Sequence, residues 1–149
     1  MTKGQEKLLE ILRSRIGTPY EYGGFDCSFF ALKSLEELKE SGLLNCELNN
    51  ENNRIRSAVW QAARLGKEIP LEEKLKVGDL LFFEGNKGHY DHSLFNGRKL
   101  YIGHVAIYSG NNKAIHAAGG KGAVEETLEE IVKERDPIVM IKRVLEDAE

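Results

Sequence analysis

Cys27, His104 and His116, in a chain of 149 residues, have the types and spacing that nucleophilic acyl transfer needs. A thiol attacks as its thiolate, so it requires an imidazole to take and return the proton and a third polar group to orient that imidazole. Cys27 stands where two kinds of sequence meet. Before it, Pro19, Gly23 and Gly24 forbid a continuous helix. After it, Phe29, Phe30, Ala31, Leu32, Leu35 and Leu38 make a helical stripe that Gly42 closes. Asp26 is an acceptable N-cap, which puts Cys27 in the first turn, at the positive end of the helix dipole. That setting favours the thiolate.

The two histidines fall in adjacent apolar runs, Tyr101–Tyr108 and Lys113–Ala117, which read as a hairpin around Ser109-Gly110-Asn111-Asn112. Residues directly opposed across an antiparallel pair share a face. His104 opposes His116 if Tyr108 faces Asn112 across a Ser109-Gly110-Asn111 loop, with Asn111 left-handed. A two-residue Gly110-Asn111 loop instead puts the histidines on opposite faces. Register decides between the two.

Each residue also has a plainer reading. A cysteine in a helix is often a small hydrophobe, and a strand histidine is often a satisfied structural group. Their coincidence in one chain with only four histidines favours chemistry. The cluster His89-Tyr90-Asp91-His92 suggests a metal, but two histidines and a carboxylate on a loop lack rigid ligand geometry, so a solvated loop with a role in access is expected and no metal site. Asp79 after Gly78 reads as turn chemistry, Glu125 to Glu134 as a solvated helix face, and Cys46 receives no role.

Positioning these residues requires an ordered set of elements. Residues 3–16 carry an amphipathic helix with Leu8, Leu9, Ile11, Leu12 and Ile16, stopped by Gly17 and Pro19. A polar, Asn-rich loop spans Asn45 to Asn53, and Arg54 to Leu65 is a further helix with Trp60 and Gln61 on its flanks. Leu80–Phe83 is a short apolar strand, and Glu84 to Leu100 a long loop. Val124 starts a short strand, Thr127 caps a helix to Glu134, and Ile138–Val144 closes the chain as a strand. Helices followed by strands predict an α+β fold, with N-terminal helices packed on one face of a C-terminal antiparallel sheet.

The length suits one domain over residues 1–149, with a monomer as the default. A net charge of −3 without a Lys/Arg cluster argues against a nucleic-acid partner, and no apolar run nears the roughly 20 residues of a membrane span. Two cysteines make no disulfide framework and read as free. The N-terminus lacks the apolar core of a signal peptide, which predicts a cytoplasmic chain unless a signal has been trimmed.

At these residues the chain resembles the NlpC-type family of bacterial cell-wall cysteine peptidases, which have a compact papain-like fold. The matching blocks are Gly17-Thr-Pro-Tyr20, Tyr22-x-Gly-Gly24 and Asp26-Cys27-Ser28, then Arg54-x-Arg-Ser-Ala58 with Gln61 and Gly66. Val77–Phe83, His104–Tyr108 and Ile115-His116-Ala117 follow in order. The resemblance implies Cys27 as nucleophile, His104 as base and acid, and His116 as the residue orienting His104. It also implies that Tyr22 binds substrate or stabilises the oxyanion, with Asp26 and Ser28 beside it and the Cys27 N–H as a second donor. It further implies a peptidoglycan stem peptide as substrate, such as one cut between D-Glu and a diamino acid, with no cofactor. Three features depart from the pattern: Phe29 where glycine is common, the long 84–100 segment, and no export signal, which suggests turnover of imported wall peptides or delivery by lysis, phage or secretion. The same trio would also serve a deamidase, an acyltransferase or a lipid-directed hydrolase, and the scaffold alone could be a binding module.

Overall fold

The computed structural model describes residues 1–48, 55–89 and 92–145, with backbone alone at 86–89 and 92–93. The Asn-rich stretch from 49 to 53, Arg54, Tyr90, Asp91 and the side chains of His89 and His92 lie outside the described residues.

Helix α1 (Lys3–Ser14) begins with a capping box, in which Thr2 accepts from the Gln5 N–H and the Gln5 side chain accepts from the Thr2 N–H. Helix α2 (Cys27–Glu40) starts at Asp26, whose carboxylate accepts from the Phe29 N–H at 2.9 Å. It ends where Gly42 turns left-handed (φ 81°) and the Leu43 N–H reaches back to the Leu38 carbonyl. Helix α3 (Ala58–Arg64) is shorter than the run from Arg54 predicts, because Ser57 is extended and caps it through the Trp60 N–H. Gln61 is not on a polar flank. It is fully buried and donates to the carbonyls of Ser28 and Ile55.

Six antiparallel strands follow: β1 (Lys67–Ile69), β2 (Leu80–His89), β3 (Ile102–Gly110), β4 (Lys113–Ala118), β5 (Gly122–Thr127) and β6 (Ile138–Arg143). Their order in the sheet is β1-β6-β2-β3-β4-β5. The brief β1 shows no period that a pattern could reveal, and exists through its pairing with β6. Strand β2 runs beyond Phe83 into the segment expected to be a loop. Its ladder with β3 extends that far despite the polar and glycine residues. A 3-10 turn (His92–Phe95) occupies more of that segment.

Helices α1 to α3 cover one face of the sheet, packing Leu8, Leu12, Phe30, Leu35 and Ala62 over Leu80, Phe82, Val105, Ile107 and Ile115. The fourth helix, α4 (Leu128–Glu134), is not one of the N-terminal set and covers the opposite face. Its buried Ile131 belongs with Leu81, Phe83, Ala106, Ala114 and Ile141 on the other side. The architecture is α+β, with N-terminal helices packed on a C-terminal antiparallel sheet.

Strand β3 carries two irregularities that aim its side chains. The turn to β4 is Asn111-Asn112, both left-handed (φ 52° and 61°), and Gly110 pairs with Lys113. Continued regularly, that turn would leave His104 and His116 on opposite faces. Ser109 is an extra residue in β3, so Tyr108 pairs with Ala114 and Ile107 with Ile115. In this frame His104 stands diagonal to His116 on one face, not directly opposite it. The second irregularity is at Gly103: Phe83 pairs with His104, but Glu84 pairs with Ile102. A Cβ on Gly103 would lie 2.6 Å from the Gly85 Cα, so backbone meets backbone there.

Gly103→Ala is therefore expected to force β2 and β3 apart beside His104. The loss of stability should be about 1–3 kcal/mol, the usual range for overpacking, and measurable as a lower urea midpoint.

Candidate active site

The end of β3 nearest α2 is where the sheet opens. The ladder between β3 and β4 stops at Ile107 and Ile115. Beyond it the Val105 N–H, which points to the same side as that of Ile107, is directed to the Cys27 sulfur. The thiol thus lies one peptide unit from His104. Cys27 is half-buried and packs against the larger core.

The structure does not make this thiol acidic, contrary to the expectation from its helix-start position. Burial pushes the Cys27 thiol above its ordinary 9.0, and the N–H groups of Val105 and Ser28 and the charge of Arg135 offset this only in part. His104 is buried too, and burial, reinforced by His116 and Arg135, holds it well below 6.5. Both shifts favour the neutral thiol and imidazole over the thiolate–imidazolium pair.

His104 Nε2 and His116 Nδ1 are 2.7 Å apart, with the rings at 81°. The Phe83 ring packs against His104 at a tilt, 5.8 Å between centroids. His116 Nε2 lies 2.8 Å from Glu126 Oε1. Burial lowers His116 despite the opposing pull of Glu126. Glu126 belongs to β5, as does Glu125, which accepts from Ser109 and Arg13, so neither lies on a solvated helix face. Pairing of β4 with β5 places Ala114 opposite Glu126 and His116 opposite Val124, which puts Glu126 on the histidine face.

Asp26 and Ser28 are brought beside Cys27 but are occupied by the protein. Arg56 donates to both Asp26 oxygens (2.9 and 3.2 Å), to the Ser28 hydroxyl and to the Gly24 carbonyl. Burial would raise the Asp26 carboxyl, but its hydrogen bonds from Arg56 and Phe29 win and hold it below 3.8. Phe29, which stands where glycine was the expectation, packs under the Arg56 guanidinium (5.1 Å) and edge-on to Phe25. Tyr22 points outward and is 91% exposed. Tyr20, two residues earlier in the same motif, is the tyrosine held near the thiol: burial raises its pKa first, then the charges of Cys27 and Asp26.

Arg135 is a residue that sequence reasoning passed over. Among the described residues its guanidinium makes no hydrogen bond or ion pair, and it bears electrostatically on Cys27, His104, His116 and Tyr20. It lines a cavity of about 460 Å³ with His104, Gly103, Gly85 and Glu84. A larger cavity, about 1120 Å³, is lined by Cys46, Lys67 and Arg143 and touches none of the candidate residues. Among the described residues no group of three His, Cys, Asp or Glu side chains is placed to hold a metal ion.

Fold and site together define an α+β protein with a helix-start thiol set beside paired strand histidines. The chain belongs to the NlpC/P60 family, whose profile matches residues 17–140. It is 33% identical over 125 residues to the probable endopeptidase NlpC of Escherichia coli (strain K12), covering 80% of this chain and 66% of that protein. Its identity to the Haemophilus influenzae homologue is 31% over 132 residues, covering 85% and 56%. The chain thus spans about two thirds of one curated relative and just over half of the other. Its fold is shared with an NlpC/P60 family protein from Bacillus cereus (TM-score 0.68, 22% identity, 98% of this chain and 42% of that one). It is also shared with the NlpC/p60 domain of the peptidoglycan hydrolase SagA (TM-score 0.61, 24% identity, 93% and 97%).

The lowered histidines have a consequence for stability. The unfolded chain takes up protons at 6.5 that native His104 and His116 resist, so their contribution is complete above that pH and is lost as pH falls. The urea midpoint should drop between about pH 7 and about pH 5, and His104→Gln should flatten that slope. An unchanged slope in this variant would contradict the burial argument.

Proposed function

We propose that this protein is a cysteine peptidase of bacterial cell-wall peptides, with Cys27 as nucleophile, His104 as general base and acid, and His116 orienting His104. The observation that carries the reading is the 2.7 Å contact between His104 Nε2 and His116 Nδ1, one peptide unit from the thiol. It leaves His104 Nδ1 as the nitrogen available to Cys27.

Because both groups rest neutral, proton transfer accompanies attack. His104 takes the thiol proton as the sulfur bonds to the substrate carbonyl carbon, then delivers it to the leaving nitrogen as the C–N bond breaks. Water next attacks the thioester, giving a proton to His104. The C–S bond breaks, the acid leaves and the proton returns to sulfur. The Cys27 N–H and the Tyr20 hydroxyl are the donors we assign to the oxyanion, since the raised pKa of Tyr20 keeps it protonated and Tyr22 faces solvent. Asp26 and Ser28 serve this arrangement by fixing the start of α2 through Arg56.

NlpC/P60 membership and the SagA domain, described as part of a peptidoglycan hydrolase, favour a stem-peptide substrate, such as one cut between D-Glu and a diamino acid. Such peptides carry free carboxylates, and Arg135, which lines the cavity beside His104 together with Lys133 and the carboxylates of Glu84, Glu134 and Asp136, is the cation we assign to one of them. The reaction requires no metal or organic cofactor.

The test is digestion of a purified muropeptide mixture followed by mass spectrometry. Wild type should release peptides in the presence of chelator, while Cys27→Ala and His104→Ala should each lose on the order of 10³-fold or more. Arg135→Gln should raise KM more than it lowers kcat. Full activity in Cys27→Ala, or activity abolished by chelator, would overturn the mechanism. Cleavage of a different acyl substrate with muropeptides untouched would favour the deamidase or acyltransferase reading.

A further inference from the structure

We propose that Glu126 is a positioning residue that sets the tautomers of both histidines, and that Lys121 holds it in place to do so. The inference rests on the reading of Cys27 and His104 as the reacting pair. It stands on a continuous chain of polar atoms. His104 Nε2 meets His116 Nδ1 at 2.7 Å, and His116 Nε2 meets Glu126 Oε1 at 2.8 Å. Lys121 Nζ donates to Glu126 Oε2 at 2.7 Å and to Glu134 at 2.5 Å. The His116 side chain is 1% exposed and that of Glu126 12%, so water does not compete freely for these bonds.

The protons follow from what each group can do. Burial pushes the Glu126 carboxyl up, but hydrogen bonds from Lys121 and His116 outweigh it and hold the group below 4.5, so at neutral pH it is an ionised acceptor. His116 must then carry its proton on Nε2. A neutral imidazole has only one N–H, so His116 Nδ1 is an acceptor. His104 fills it by donating from Nε2, and its Nδ1 is left with a lone pair for the thiol proton. Reversing the first bond reverses every later one and puts a proton on the nitrogen that the thiol needs free.

Glu126→Gln performs that reversal. Lys121, a donor only, claims the single amide oxygen, and the amide NH₂ is turned to His116. Both histidines then switch to the Nδ1–H form. Removing the competing donor in Lys121→Met/Glu126→Gln lets the amide oxygen return to His116. A role limited to packing gives the opposite order, with the near-isosteric Gln tolerated and the second substitution adding damage. The charged or titratable groups facing His116 are His104 on β3, Glu126 on β5, Lys121 in the preceding turn and Arg135 after α4, and only the first three belong to the chain.

The experiment combines histidine tautomer assignment by ¹⁵N NMR with iodoacetamide alkylation of Cys27, quantified by peptide mass at neutral pH. Wild type should show Nε2–H on both His104 and His116. Glu126→Gln should show Nδ1–H on both and alkylate roughly 100-fold more slowly, the low end of what a positioned general base contributes. Lys121→Met/Glu126→Gln should regain Nε2–H and at least roughly a tenfold part of that rate. Nδ1–H on His116 in wild type, or a folded Glu126→Gln that alkylates at the wild-type rate, would overturn the inference. Tautomers that switch as expected while alkylation ignores His104→Ala would uphold the tautomer assignment and overturn only the reading of Cys27.

Discussion

Two imidazoles buried side by side on a sheet face leave few solutions. Neither His104 nor His116 can ionise cheaply there, since burial disfavours charge in both. Each must therefore satisfy its nitrogens with neutral hydrogen bonds or with an anchored charge. The structure does this by joining them to each other and ending the row on a carboxylate that is itself held by Lys121. The neutral thiol of Cys27 is the matching solution on the other side. For a thiolate there, the Val105 and Ser28 N–H groups and the charge of Arg135 offset burial only in part.

The backbone makes room for this by breaking regularity at chosen points. Ser109 adds one residue to β3 and turns two histidines onto one face, and its hydroxyl is tied to Glu125 on β5. Gly103 adds another irregularity immediately before His104, where β2 and β3 come too close for a side chain. The ladder between β3 and β4 ends before Val105, which frees that N–H for the sulfur. On the helix side, Arg56 ties together Gly24, Asp26 and Ser28, so the turn before α2 and its first residues form one unit.

The order of elements was legible because periodicity and caps are local properties. The helix start at Asp26, the Thr127 cap, the hairpin and the α+β layout could all be read that way. Register was not, because a bulge leaves no mark in the hydrophobic pattern. Neither of the two registers left open occurs: the observed one differs by two residues from direct pairing of His104 with His116, which keeps both on one face, whereas a shift of one would not. Glu126 was hidden in a run of acidic residues that read as helix, though it and both its neighbours belong to a strand. Tyr20 and Tyr22 share one motif, and only burial separates the half-buried ring from the exposed one. Arg135 stood alone after a helix, with no spacing to connect it to residues far away in the chain.

The claim most exposed to contradiction is that the thiol and imidazole rest neutral. It is measured by the ultraviolet absorbance of the thiolate across pH, taken as the difference between wild type and Cys27→Ser so that Cys46 and the tyrosines cancel. A thiol raised by burial predicts no thiolate signal at Cys27 until pH rises above the ordinary 9.0 of a cysteine. A thiolate that forms below neutral pH and disappears only on strong acidification would show a resting ion pair, and the account of the site given by burial would be wrong.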